Sequence, residues 1–236
     1  VHSGVIPQPS AEYPTRNLSR RAQAAEVGVF LLLIAPQFFL SAITGDRPGW
    51  SFAVAAVAIV LRDLGFVALI FLFLARNGER REDIGWTFKK GPKYIVVGTL
   101  IFPVLLYAIT FVQVGLRFLG LSLQPHLPSY LQIHSPSELP LLLYLSAVNG
   151  VAEEIIFRGY LILRLTALSG RTVAVLLSSA IFAIEHLYQG TANVLTIGFV
   201  GLIYALIYVR TRSLVIPIAL HCLQDLVGIL AASSIR

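Results

Sequence analysis

SFAVAAVAIVLRDLGFVALIFLFLA, residues Ser51–Ala75, decides the class of fold. A helix rises about 1.5 Å per residue, so roughly 20 apolar residues cross about 30 Å of hydrocarbon. This run is long enough, and it is too continuously apolar for the alternating strand of a membrane barrel. Lipid offers backbone groups no outside partner, so the helix is the default spanning element. Comparable runs lie at Val27–Thr44, Tyr94–Leu116, Leu139–Leu163, Thr172–Gln189, Asn193–Val209 and Leu214–Ser233. Val27–Thr44 is longer than a signal-peptide core and is followed by further spans, which predicts an uncleaved first span. The expected fold is all-α, a polytopic transmembrane bundle of about seven helices, with six to eight as the range.

Composition agrees. The chain is 56% hydrophobic and 13% charged, against about 25% charged in soluble domains. Its single cysteine, Cys222, excludes an internal disulfide framework. The net charge is +6, but the basic residues form no nucleic-acid patch, and no nucleic-acid partner is expected. They concentrate in Arg76–Lys93, Arg164–Arg171 and Arg210–Arg212, whereas Arg47 and Arg117 are nearly alone on the alternate side. This asymmetry predicts a cytoplasmic N-terminus and, for seven spans, an external C-terminus. Residues 1–26, with Pro7, Pro9, Pro14, Arg16, Arg20 and Arg21, read as a polar cytoplasmic arm, and residues 27–236 as one membrane domain. Ser122–Glu138, with Pro125, Pro128 and Pro136, reads as an external loop or a partly re-entrant piece. Trp50, Trp86 and Tyr94 flank spans as interface anchors.

Ionisable residues inside spans cost several kcal/mol, which marks them as functional or paired. They collect in the C-terminal half: Glu153, Glu154 and Arg158; Glu185 and His186; His221 and Asp225. Glu154 and Arg158 share one helix face and predict a brace. Glu153 has no cation three or four residues away, and an unpaired carboxylate in low dielectric is a candidate general acid or base. His221 and Asp225 are also four apart, so Asp225 can orient the imidazole. Phe182 at the same spacing supplies an aromatic wall for His186. Glu185 reads as lying near the outer end of its span with Tyr188 and Gln189. Arg62 and Asp63 read as a separate structural pair, and Gly201 with Ala205 as a close-packing step. Cys222 points away from the face of His221.

Two mechanisms suit these residues. Glu153 and His186 can deprotonate a water while His221 and Asp225 hold the oxyanion. Alternatively Glu153, His186 and His221 bind zinc, which lowers the pKa of its water. The soluble zinc-protease signature HExxH is absent, and metal-free and zinc-dependent chemistry stay open at this point.

Glu153-Glu154-Ile155-Ile156-Phe157-Arg158 resembles the EExxxR motif of the CPBP family of intramembrane peptidases, the CAAX-prenyl-protease, bacteriocin-processing or Abi type. Phe182-Ala183-Ile184-Glu185-His186 is similar to its FxxxH motif, and His221-Cys222-Leu223-Gln224-Asp225 to its HxxxN/D motif. The resemblance spans about residues 139–228. It implies endopeptidase activity within the membrane. Glu153 and His186 would activate water, His221 and Asp225 would form the oxyanion site, and Glu154 and Arg158 would support them. Many members have asparagine where Asp225 stands, so an oxyanion role needs that aspartate protonated or engaged with His221. The implied partners are the lipid bilayer and a peptide or lipidated protein substrate, and the implied location is a bacterial inner membrane. The alternative is a non-catalytic membrane immunity or scaffold protein that retains the motif.

Overall fold

The computed structural model describes residues 18–44, 50–121 and 128–233. Seven helices and no strand occupy these described residues, in agreement with the all-α expectation. They are α1 (Arg20–Thr44), α2 (Phe52–Arg76), α3 (Gly91–Phe118), α4, α5 (Arg171–Glu185), α6 (Thr191–Thr211) and α7 (Val215–Ala232). Helix α4 is continuous through Leu139–Glu153, a π-helical stretch Glu154–Leu161, and Ile162–Ser169. Single-turn helices at Ser129–Leu131, Pro136–Glu138 and Leu187–Gln189 join these rods on one face, and Arg81–Ile84 on the other.

Five helices are long and apolar enough to cross a membrane: those at Phe52–Arg76, Gly91–Phe118, Pro136–Ser169, Asn193–Thr211 and Val215–Ala232. The protein is an integral membrane protein. The other two rods differ from the expected runs. Helix α5 stops at Glu185 instead of Gln189, and its 15 residues reach only about 22 Å. Helix α1 begins at Arg20, so residues 20–26 of the expected polar arm are helical. Residues 1–17 of that arm, Arg47, and Ser122–Leu127 with Pro125 lie outside the described residues.

Paired polar groups let α1 start early. Glu26 accepts hydrogen bonds from Asn77 Nδ2 at 2.6 Å, Tyr160 Oη at 3.0 Å and Arg164 Nε at 2.9 Å. The buried Arg164 guanidinium also forks onto Glu79 at 2.7 and 2.6 Å, a bidentate geometry that satisfies charge and direction together. The first helix is thereby tied to α4. Tyr160→Phe removes one hydrogen bond to a charged group and is expected to cost about 1.5–3 kcal/mol. A reduced thermal midpoint in detergent would register it, and an unchanged midpoint would show that the hydroxyl contributes nothing.

Helix α4 is central, packing on α2, on α7 and, through its C-terminal part, on α1 and α5. Its close approach to α7 requires glycine: a Cβ at Gly150 would lie 2.8 Å from Cys222 Sγ and 3.1 Å from Cys222 N. Cys222 therefore faces α4 in a tight packing contact. Gly150→Ala is expected to destabilise by about 1–3 kcal/mol through overpacking, again read as a lowered thermal midpoint; an unaltered one would mean the two helices can part.

Because the chain alternates direction, helix ends sort onto two faces. One face gathers Arg20, the 77–90 connection, Gly170 and the 212–214 turn. There Arg20 donates to the Leu168 carbonyl at 2.6 Å and Leu214 N to the Gly85 carbonyl at 3.1 Å. The opposite face gathers Trp50, Tyr130 and the end of α7. There the Trp50 and Tyr130 rings meet edge-on at 6.3 Å, and Ile133 N donates to Ser233 Oγ at 3.0 Å.

Candidate active site

Three rods bring the polar residues together. Helix α4 supplies Glu153, Glu154 and Arg158 at the start of its π-helical stretch; such wide turns recur at functional sites. The Phe157 carbonyl within that stretch accepts from Ser178 Oγ at 2.6 Å, so the irregular backbone has a partner in α5. Helix α5 delivers His186 at its C-terminal boundary, and α7 delivers His221 and Asp225.

The His221 imidazole lies between the two successive glutamates. Its Nδ1 bonds Glu154 Oε1 at 2.7 Å, while its Nε2 is 3.6 Å from both Glu153 Oε2 and Asp225 Oδ1. Glu154, and not Asp225, therefore makes the short bond that orients this ring, a correction to the i,i+4 reading. Glu154 Oε1 also accepts from Arg158 Nη1 at 2.7 Å, with both side chains fully buried, as the brace predicted. The guanidinium lies 4.1 Å from the centroid of Phe182 and donates to the Gly201 carbonyl at 3.4 Å. A Cβ at Gly201 would stand 3.0 Å from Phe182, so the small residue admits the stack.

His186 stands beside its expected aromatic wall, 4.8 Å from the Phe182 ring centroid. Its Nδ1 lies 2.8 Å from the Phe182 carbonyl. A carbonyl only accepts, so Nδ1 carries the proton and Nε2 is the basic nitrogen of the neutral ring. Phe182 also meets the His221 ring edge-on at 5.7 Å, so one aromatic residue spaces both imidazoles.

Glu153 and His186 line a cavity of about 570 Å³ together with Asn149, Glu185, Asp225 and Arg62. Three expectations change here. Glu153 is not without a cation, because Arg62 Nη2 reaches within 3.9 Å of it from α2. Arg62 and Asp63 do pair, at 2.6 Å, but the pair belongs to the cluster, since Arg62 also stands 3.9 Å from Glu185 and 3.5 Å from Asn149 Oδ1. Glu185 faces this cavity and not merely the outer end of its span. Sequence spacing along one helix cannot reveal such partners, which come from another rod. Asn149, one turn before Glu153, also joins the site; its Nδ2 donates to Asp225 Oδ2 at 3.2 Å. Asp225 thus lies between the Asn149 amide and the His221 ring, whose Nε2 stands 3.6 Å from Oδ1.

Among the described residues no three His, Cys, Asp or Glu side chains converge closely enough to hold a metal ion. Glu153, His186 and His221 are thus not arranged as a ready set of zinc ligands.

Carboxylates and the His186 imidazole around a cavity, with His221 3.6 Å from two of those carboxylates, define a membrane-embedded polar site inside a bundle of apolar helices. Residues 135–227 match the family described as type II CAAX prenyl endopeptidase Rce1-like. The match agrees with the resemblance of the three motifs in this region to the CPBP family of intramembrane peptidases. No curated protein and no solved structure matches the chain. Every residue of the site from Asn149 to Asp225 falls within the matched region, whereas Arg62 and Asp63 fall outside it.

Proposed function

We propose that the chain is an intramembrane endopeptidase that hydrolyses a peptide bond of a membrane-associated substrate with water activated by Glu153 and His186. The observation that carries this reading is that both groups line one cavity, with His186 Nδ1 held against the Phe182 carbonyl so that Nε2 is basic. The pair removes a proton from water, and the oxygen bonds to the scissile carbonyl carbon. His221, held through Nδ1, turns Nε2 toward the developing oxyanion; donation from both nitrogens requires its imidazolium form. Asp225 and Asn149 keep that edge of the site in place. Collapse breaks the C–N bond, and the proton held by the pair passes to the leaving amine.

His186→Ala is the direct test: cleavage of a membrane-embedded reporter peptide by the reconstituted protein should fall about 10²- to 10⁴-fold. Cleavage at the parental rate would remove His186 from the mechanism. The donor geometry also leads to an expectation for metal: purified protein should contain less than stoichiometric zinc and keep its activity after chelator dialysis. Stoichiometric zinc, lost in His186→Ala combined with His221→Ala, would replace this mechanism with a zinc-dependent one. The charge asymmetry of the loops supports a cytoplasmic N-terminus; a bacterial inner membrane is the location that the motif resemblance implies.

A further inference from the structure

The cavity is built from one half of the bundle. It takes Trp50 just ahead of α2, then Ala55 to Arg62 from α2 and none of the half that ends at Arg76; from α3 it takes Leu106 to Gln113 and none of the half that begins at Gly91. Helices α6 and α7 follow the same rule, contributing Asn193 to Val200 and Gln224 to Ala232. From α4 it takes Leu145 to Glu153 and from the end of α5 Glu185, and Tyr130, Leu131, His186, Tyr188 and Gln189 sit on the connections of that same face. The other face carries Arg76, Arg80, Arg81, Lys89, Lys90, Lys93, Arg171, Arg210 and Arg212. Short loops rich in Lys and Arg stay on the cytoplasmic side.

We infer that the substrate reaches the site from the extracytoplasmic face, as a polypeptide segment presented there and not as the lipidated tail of a cytoplasmic protein. This rests on the peptidase reading for the word substrate, but the access route stands on geometry and charge. Glu153 and Arg62 are the lining residues farthest along α4 and α2 from that face, so a chain entering there meets Trp50, Tyr130 and the end of α7 before them. The walls along that path mix Leu106, Ile109 and Val227 with Gln113, Ser146 and Gln224, which suits an extended peptide with apolar side chains and a polar backbone.

Single cysteines in a Cys222→Ser background test the route. Gly228→Cys places a thiol on the cavity wall where a Cβ meets nothing within 4 Å, and Ala58→Cys is a second lining position should the first not fold. Ser137→Cys and the exposed Glu82→Cys mark the two faces. The probe is a membrane-impermeant cationic methanethiosulfonate applied to sealed right-side-out and inverted vesicles. Gly228→Cys and Ser137→Cys should react in right-side-out vesicles, and Glu82→Cys only in inverted ones. Reaction of Gly228→Cys and Ala58→Cys from the Glu82 side alone would overturn the inference. So would reaction of Glu82→Cys in right-side-out vesicles, or modification of the cavity positions only by a lipid-soluble maleimide. Labelling needs no turnover, so a protein that labels as expected yet never cleaves would refute the peptidase reading and leave the route intact.

Discussion

Glu153→Gln is expected to lower peptide cleavage about 10²- to 10⁴-fold, the contribution usual for a positioned general base. Glutamine keeps the shape of the side chain, but it cannot take a proton from water. The protein should still insert and keep its helices. Glu153 makes no short ion pair: His221 Nε2 is at 3.6 Å and Arg62 Nη2 at 3.9 Å. Removing its charge therefore breaks none of the closest polar contacts, which belong to Glu154 and Arg158. The measurement is cleavage by reconstituted wild type and variant, with thermal midpoints taken alongside. Equal rates would favour the scaffold or immunity reading, in which the motif serves structure alone.

Arg158→Leu should act in the opposite way, on stability first. The side chain is fully buried, holds Glu154 at 2.7 Å and lies over the Phe182 ring at 4.1 Å. Leucine leaves the Glu154 carboxylate inside the bundle with its guanidinium gone. Removing one partner of a buried pair typically costs about 3–5 kcal/mol. A large fall in thermal midpoint in detergent, or failure to accumulate folded protein, is the expected result. Arg158→Lys should recover only part of the loss, because an ammonium neither stacks flat on Phe182 nor reaches Glu154 and the Gly201 carbonyl as a planar fork does. A midpoint within experimental scatter of wild type for Arg158→Leu would show that Glu154 finds another partner.

The helices were legible because a lipid solvent imposes a coarse rule: apolar runs long enough to cross are helices. The rule failed at α5, where the apolar run past Glu185 turns into a single-turn connection, and at α1, whose polar start is helical because Glu26 meets Asn77, Tyr160 and Arg164. Pairs within one rod were also legible, as Glu154 with Arg158 and Phe182 with His186 demonstrate. Pairs between rods were not. No spacing could say that His221 bonds Glu154 more closely than Asp225, or that Arg62 crosses from α2 to Glu153 and Glu185. Asn149 did carry a usable signal, a polar residue one turn from Glu153 on an apolar helix.

The reach of Arg62 bears on how far this molecule can be trimmed. A fragment cut to residues 135–227 would retain every motif that identifies the family. It would nevertheless strip Glu153 and Glu185 of the guanidinium that lies 3.9 Å from each. It would also take Glu26 and Glu79 from Arg164, leaving a buried cation with no counterion in that network. The recognisable part is therefore not a transplantable module, and the anonymous first half supplies the counter-charges that let the second half exist in lipid.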